Sequence, residues 1–273
     1  SMASLLYPKT DPVLRQPSAT SVSSVTLDQV KAYYQQIFRP DMTTIVVVGN
    51  TTPEQARAIV EKYFGDWKTS GSKPDTLLPP VPLSHSGESV VPDTSRVQDE
   101  VTLGETLGLT RDNPDYYALE AGNHVLSGAF YATRLYHDVR EQAGLVYSIG
   151  SNFSIGRRRS TFSVSYACDP QNVSKARALV IRDLEAMQTA PVTPIELDRA
   201  KTLLINQIPL AEASVHGIGA GLLGRSLSDL PLDEPIQAAQ HYLSITAPQI
   251  EAAFKKWIRP DDFAQVTLGP APK

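Results

Sequence analysis

Residues 26–49 read TLDQVKAYYQQIFRPDMTTIVVVG, and residues 246–269 read TAPQIEAAFKKWIRPDDFAQVTLG. The two stretches align without a gap at an offset of 220 residues, and eight of the aligned positions are identical. Each copy is predicted to form a helix, an Arg-Pro-Asp corner and a strand that ends at a glycine. A supersecondary unit that recurs at this spacing indicates two successive homologous domains of about 220 residues each.

The repeat predicts how the chain is divided. Residues 1–68 are expected to be the C-terminal part of a preceding unit whose earlier part is absent from this chain. Residues 69–85 contain four prolines and are predicted to be a linker. Residues 86–273 are predicted to form one complete unit of the same kind.

The predicted fold class is α+β, with a mixed, largely antiparallel sheet packed against several long helices. Four helix starts carry capping boxes, in which a threonine hydroxyl and a Glu or Gln three residues later satisfy free backbone N–H groups. The capping threonines are Thr26, Thr52, Thr193 and Thr246. Helices are predicted over 26–38, 53–64, 114–127, 131–143, 170–188, 194–227, 233–242 and 247–258. Strands are predicted over 43–49, near 87–91, over 97–109, 145–155 and 160–168, and over 263–268.

Composition excludes several classes of protein. The chain has 41% hydrophobic residues, enough for a sizeable core, and a net charge of −4, which disfavours a dedicated nucleic-acid binder. No apolar run approaches the roughly 20 residues that span a bilayer, so no transmembrane segment is expected. The single cysteine, Cys168, ends an alternating apolar run and is interpreted as a small buried side chain.

The histidines do not form a known metal motif. None of the five occurs in His-Glu-x-x-His or His-x-x-Glu-His, the spacings that place two imidazoles and a catalytic glutamate on one helix. His137 and Glu141 lie four residues apart and are interpreted as a surface pair. The prediction is therefore that this chain contains no metal site and no catalytic residue.

Two further motifs have ordinary explanations. Residues 219–224, GAGLLG, match the dinucleotide-binding pattern G-x-G-x-x-G, but they lie inside a predicted helical stretch and do not follow a strand. We interpret them as small residues that allow close packing, and a dinucleotide-dependent enzyme is the weakest alternative. Arg157, Arg158 and Arg159 are interpreted as a solvated hairpin turn.

The most informative local segment is 131–153, predicted as a helix, a stop at Gly144 and a strand. Arg140 lies in the last helical turn, where a cation suits the negative end of the helix dipole. Tyr147 follows in the strand, on the predicted face of Ile149. The helix end and the strand start can bring Arg140 and Tyr147 together, and two such donors can hold a peptide carbonyl or a developing oxyanion. A structural role stays open, with Arg140 as a helix-end charge and Tyr147 as a core tyrosine.

These residues resemble a known family. The segment Val139-Arg140-Glu-Gln-Ala-Gly-Leu-Val-Tyr147-Ser resembles the arginine–tyrosine motif in the C-terminal half of pitrilysin/insulinase-type zinc metallopeptidases. The segment from Phe38 to Gly49, followed by YFGDW at 63–67, resembles the end of a domain in the same family. The resemblance covers nearly the whole chain.

The resemblance implies a clamshell of homologous α+β units, with the zinc motif in an N-terminal half. The C-terminal half lacks metal ligands and supplies an arginine and a tyrosine, here Arg140 and Tyr147, to a peptide or unfolded protein substrate. Zinc is then expected upstream in the missing part of the parent or on a partner chain, unless the motif has been lost, and this chain alone is expected to be inactive.

Two further expectations come from the resemblance. The alternative function is a non-catalytic scaffold or assembly subunit of the same fold. Bacterial relatives are often exported, so a periplasmic location is expected from the resemblance alone.

Overall fold

The computed structural model describes residues 1–128 and 131–270. Its α-helices are α1 (Met2–Leu6), α2 (Ala19–Ser23), α3 (Leu27–Ile37), α4 (Pro53–Phe64), α5 (Tyr116–Asn123), α6 (Val173–Thr189), α7 (Pro194–Ala211), α8 (Val215–Leu227), α9 (Glu234–Ser244) and α10 (Ala247–Trp257). Its strands are β1 (Gly87–Pro92), β2 (Asp99–Leu107), β3 (Val146–Ile155), β4 (Ser160–Cys168) and β5 (Ala264–Gly269). No helix in these two ranges is both long enough and apolar enough to cross a membrane.

The five strands form one sheet in the order β1-β5-β2-β4-β3. β1 pairs with β5 in parallel, and the other three pairings are antiparallel. The sheet is therefore mixed and largely antiparallel, and the predicted α+β class is confirmed. β5 is a central strand, whereas β3 lies at an edge.

The core lies between one face of this sheet and helices α5, α6 and α10. Alternate residues of β2 and β4 point into it, among them the fully buried Leu103 and Phe162. Phe254 of α10 is also fully buried, and its ring lies 6.3 Å from that of Phe153 on β3. Each such side chain contributes roughly 1.5–3 kcal/mol through burial.

The corner before β5 is fixed to the sheet by Arg259. Its guanidinium lies 3.1 Å from the carboxylate of Glu105 on β2 and also donates to the Thr106 carbonyl. Glu105 is completely buried. Burial raises the pKa of Glu105 to about 7, although the Arg259 charge opposes that shift.

Contacts divide the chain into two compact units. The unit that contains the sheet, here the sheet unit, comprises Ser1–Leu14, Leu78–Ile208 and Asp233–Lys273. The other, here the helical unit, comprises Arg15–Leu77 and Pro209–Leu232. These units are defined by packing and the predicted domains by sequence repetition, so the boundaries at 68 and 85 stay a prediction.

The helical unit contains α2, α3, α4 and α8. The capping boxes at Thr26 and Thr52 form as predicted. The predicted strand over 43–49 is wrong, because the described residues include no strand that pairs with this segment. A strand needs a hydrogen-bonded neighbour, and a run of β-branched residues does not supply one. The glycine motif 219–224 lies within α8, and a Cβ built on Gly219 would contact Val48.

Arg159 corrects another interpretation. It forms an ion pair of 2.9 Å with the buried Asp11 and donates to the Pro79 carbonyl, so it is not part of a solvated turn. Segment 1–14 and the end of the predicted linker are thereby attached to the hairpin. Ser84, within that linker, exchanges hydrogen bonds with Thr106 of β2.

Candidate functional site

Arg140 lies just before Gly144, in a π-helical segment that spans Tyr136–Gln142. π-Helical turns are rare and are frequent at functional sites. Gly144 adopts a φ of 63°, a left-handed conformation that favours glycine, and it ends the helix as predicted. Its N–H donates to the Arg140 carbonyl, and the Leu145 N–H donates to the Val139 carbonyl. The chain therefore turns back beside Arg140 as β3 begins.

The guanidinium of Arg140 lies between two tyrosine rings. Its central carbon is 4.6 Å from the ring centroid of Tyr147 and 4.7 Å from that of Tyr136. Both distances are within the range of cation–π attraction. The structure thus brings Arg140 and Tyr147 together and adds Tyr136, which the sequence analysis missed. Its signal was the spacing of four residues to Arg140, about one helical turn.

The donors of Arg140 are not used within the described residues. In residues 1–128 and 131–270, no carboxylate or carbonyl forms an ion pair or hydrogen bond with its side chain. Arg140 is half-buried, so the rings restrict its orientation without removing it from solvent. A guanidinium presents five N–H donors in a planar fork, which are available here to an external acceptor.

Tyr147 projects outward because β3 contains a bulge. Val146 pairs with Cys168 and Ile149 with Tyr166, so two residues of β3 lie opposite one residue of β4. Tyr147 is 76% exposed. The predictions that it shares the face of Ile149, or serves as a core tyrosine, are wrong because the bulge interrupts the alternation of side chains.

Tyr136 is held in place by a third ring. Tyr131 packs edge-on against it, with ring centroids 5.0 Å apart. Desolvation raises the pKa of Tyr136 above the ordinary value of tyrosine, although the Arg140 charge lowers it. The Tyr136 phenol is therefore neutral at physiological pH and supports the guanidinium by its ring.

Ion pairs fix the segment that carries Arg140. Arg134 forms a bidentate pair with Glu196 at the start of α7, at 2.8 and 3.0 Å. Burial raises the pKa of Glu196, but hydrogen bonds from Arg134 and from the Thr193 backbone outweigh it and lower that pKa to about 2. Arg182 of α6 also binds Asp138. These ion pairs attach the segment to α7 through Arg134, before Tyr136, and to α6 through Asp138, after it.

The outer edge of β3 is closed in its middle. The Ser151 N–H donates to the Ser127 hydroxyl at 2.7 Å, and the Ser151 carbonyl accepts from Asn123 and from Ser127. If they were unpaired, these backbone groups could form hydrogen bonds with an added β-strand. Strand addition along β3 is therefore obstructed at Ser151, close to its centre.

The potential metal ligands among the described residues do not fit a zinc site. Across the described ranges, no three His, Cys, Asp or Glu side chains are grouped so that they could hold a metal ion. His137 is engaged by Asp138 at 2.6 Å, and Cys168 is buried in the core. No catalytic step through a metal is assigned to these residues.

Comparison with known sequences places the chain among protease-like proteins. A family described as the peptidase M16 inactive domain matches residues 24–204. A probable inactive metalloprotease of Bacillus subtilis, YmfF, is 24% identical over 220 residues, which cover 78% of this chain and 49% of that protein. The chain spans about half the length of the curated relatives it matches.

Solved structures give the same picture. A peptidase M16 inactive domain from Pseudomonas fluorescens is 26% identical, with a TM-score of 0.86 over 100% of this chain and 65% of that chain. The ferredoxin protease FusC, in complex with Arabidopsis ferredoxin, is 14% identical, with a TM-score of 0.72 over 98% of this chain and 29% of that chain. The second likeness concerns the fold alone.

The matched region covers most of this chain, including α3, the whole sheet except β5, and the Arg140 turn. The chain therefore belongs to the peptidase M16 inactive domain family.

Proposed function

We propose that this chain is the substrate-binding, non-catalytic part of a zinc-protease-like protein, in which Arg140 and Tyr147 donate hydrogen bonds to backbone carbonyls of an extended peptide. One observation carries the proposal. The Arg140 guanidinium has no acceptor among the described residues, yet two tyrosine rings hold it beside the exposed Tyr147.

The two donors of this site suit the neutral carbonyl groups of a peptide backbone better than a single charged group on a ligand. A guanidinium and a phenol are both donors, and backbone carbonyls are acceptors that every peptide presents regardless of sequence. A hydrogen bond that involves a charged donor contributes roughly 1.5–3 kcal/mol. Because the tyrosine rings restrict Arg140 beforehand, less conformational entropy is lost on binding.

The peptide meets the start of β3 and does not extend along the strand. Ser151 is already bonded to Ser127 and Asn123, so its outer edge is not free. Contacts through the side chains of Arg140 and Tyr147 need no such edge. We therefore assign recognition to the turn and the bulge.

Hydrolysis requires a zinc site elsewhere in the parent protein or on a partner. Several relatives are named zinc proteases, and FusC is in complex with a protein, ferredoxin. These names support a polypeptide as the substrate class. The role of this chain is to bind and orient that polypeptide.

The test is cleavage of an unstructured peptide by the full-length parent protein. We expect Arg140→Ala and Tyr147→Phe each to lower kcat/KM at least tenfold, which corresponds to about 1.4 kcal/mol of transition-state binding. Tyr147→Phe keeps the ring over Arg140 and removes only the hydroxyl, so it separates donation from packing.

Matched controls come from an exposed arginine and an exposed tyrosine outside segment 131–153. Arg96→Ala removes an arginine in exposed ion pairs, and Tyr63→Phe removes the hydroxyl of a tyrosine that also has a cation over its ring. Both should retain the parental rate. If the Arg140 and Tyr147 variants are as active as these controls, the binding role is wrong. A parent that neither cleaves peptide nor binds zinc would favour the scaffold alternative.

A further inference from the structure

The contact between α6 and the π-helical segment Tyr136–Gln142 contains more negative than positive charge. The Arg182 guanidinium of α6 contacts two carboxylates, that of Asp138 in the segment and that of Asp183 on α6 itself. One cation balances only one of them. The three side chains therefore carry a net negative charge whenever both carboxyl groups are ionised.

The geometry of Asp183 indicates where a proton is held. Its side chain is 5% exposed, and its Oδ1 accepts hydrogen bonds from Nε and Nη2 of Arg182 at 3.1 and 2.7 Å. No donor reaches its Oδ2 in the part of the chain that the structure describes. A buried carboxylate oxygen without a donor is costly, whereas a protonated oxygen can itself donate. Asp138 is the neighbouring acceptor, and a hydrogen bond between two carboxyl groups requires one proton.

The pKa of Asp183 agrees with this location of the proton. Burial, which is the largest cause, and the Asp138 carboxylate raise the pKa of Asp183 to about 6, although the hydrogen bond from Arg182 lowers it. The folded chain therefore keeps this proton below about pH 6 and releases it above. Within the segment, only Asp138 contributes to the shift. The other elements that pack against α6 carry charged or titratable side chains that do not contribute to it, namely His124, Glu251, Lys255, Lys256, Asp261 and Asp262.

Asp138 and Arg140 belong to the same turn. The Ala143 N–H donates to the carbonyls of both residues. Tyr136, whose ring contacts the Arg140 guanidinium, precedes Asp138 by two residues. The contact that fixes Asp138 on α6 therefore also limits the movement of Arg140 and of the tyrosine that supports it.

We propose that Asp183 is a positioning residue for Arg140 and makes peptide binding sensitive to pH. Its carboxyl group shares one proton with that of Asp138, and the pair, together with Arg182, holds the turn in the orientation that binds peptide. When the proton is lost, the two carboxylates repel each other and the turn is held less firmly. This inference rests on the proposed peptide-binding role of Arg140 and adds its regulation.

The ion pair at α7 provides an internal control. Arg134 and Glu196 balance one charge with one charge. Burial raises the pKa of Glu196, but the hydrogen bonds from Arg134 outweigh it, and the pKa is lowered to about 2. Of the two ion-pair contacts that hold the segment, only the one at α6 therefore changes its charge between pH 5 and pH 8.

Amide hydrogen exchange measures how firmly the turn is held, without any peptide. Exchange at Tyr136–Gln142 is followed in this chain from pH 5 to pH 8, after correction for the intrinsic effect of pH on exchange. We expect protection to fall about tenfold as pH rises through 6 in the wild type. In Asp183→Asn it should stay constant, because the amide donates to Asp138 as the protonated acid does. Equal pH dependence in the two proteins would overturn the proposal.

Peptide binding is measured on the same proteins. The probe is a fluorescein-labelled, unstructured peptide without titratable side chains and with blocked termini, and anisotropy gives its Kd. We expect Kd to rise at least about fivefold from pH 5 to pH 7.5 in the wild type and to remain at the low-pH value in Asp183→Asn. Glu196→Gln should raise Kd by the same factor at every pH. A Kd that varies with pH equally in the wild type and Asp183→Asn would overturn the proposal.

A further variant separates Asp183 from a neighbouring histidine. His137 contacts the Asp138 carboxylate at 2.6 Å. His137→Gln should keep the pH dependence of both measurements, and its loss would assign the effect to the histidine and overturn the proposal. The exchange measurement needs no peptide, so the two proposals can fail separately. Equal peptide binding by the wild type and Arg140→Ala contradicts the proposed function, whereas a turn whose protection does not change with pH contradicts the role of Asp183.

Discussion

The α3 and α10 regions share a sequence motif, and they show which parts of it fold by themselves. Both helices form, and both begin at a threonine capping box. Both Arg-Pro-Asp corners make a short 3-10 turn with an arginine–aspartate contact. Only the segment after the second corner is a strand. Caps and corners are therefore local properties, whereas the strand depends on neighbours from elsewhere in the chain.

The arginines of the two corners also have different partners. Arg259 reaches across to Glu105 on a neighbouring strand. The Arg39 side chain is more deeply buried, at 5% exposure against 24% for Arg259, and it bonds Asp41 and the carbonyls of Ser70 and Gly71, all within its own unit. Arg259 thus links its corner to a neighbouring strand of the sheet, whereas Arg39 links its corner to the loop at residues 70–71.

The largest expected difference concerns the aligned aromatic residues. Phe254→Ala should lower the free energy of unfolding of the sheet unit by about 3–5 kcal/mol, because a fully buried ring leaves a cavity. Tyr34→Ala should change the stability of the helical unit of this chain by less than about 1 kcal/mol. Trp257 and Trp67 report on the two units in denaturant titrations, each with the other tryptophan replaced by phenylalanine. Similar decreases in the free energy of unfolding for Phe254→Ala and Tyr34→Ala would contradict the difference between the two copies of the repeat.

A smaller effect is expected from the buried carboxylate. Since the pKa of Glu105 is about 7 in the folded state and near 4.5 when unfolded, the folded protein holds a proton that the unfolded chain releases between these values. Stability should therefore fall as pH rises through this window, by on the order of 3 kcal/mol. Glu105→Gln should remove that slope in denaturant titrations at pH 4.5 to 8. A slope that persists in the variant would assign it to another group.

The smallest effect is expected at the other corner. The Arg39 hydrogen bond lowers the pKa of Asp41, so its stabilising contribution is present above the ordinary aspartate value near 3.8 and is lost as pH falls through the lowered one. Asp41→Asn should change stability at neutral pH less than Glu105→Gln does, because Asp41 is partly exposed and Arg39 keeps its carbonyl partners. Thermal melts of both variants at pH 4 and pH 7 measure the contrast.

Sequence patterns predicted the elements that depend on nearby residues. The capping boxes, the stop at Gly144 and the β3–β4 hairpin agree with the structure. The wide turn over Tyr136–Gln142 and the bulge at Tyr147 were missed, because each adds one residue to a regular pattern and leaves composition unchanged. The burial of Arg159 was missed because its partner Asp11 is far away in sequence.

The candidate site was predictable in part. Arg140 and Tyr147 could be placed near each other from the helix stop between them. The exposure of Tyr147 could not be predicted, because it depends on the missed bulge. The ring of Tyr136 could have been found, because Tyr136 lies four residues before Arg140 in a predicted helix. The binding role of the pair stays a prediction until peptide cleavage is measured.

The wide turn before Gly144 has a consequence for comparing relatives. A π-helical turn encloses one residue more than an α-helical turn, so loss of a single residue from Tyr136–Gln142 would restore the α-helical spacing. The helix before the loss would then rotate by about 100° relative to the glycine stop. Equivalent arginines in shorter or longer homologues should therefore be matched by counting backward from Gly144, since counting forward from α5 would select a side chain on another face.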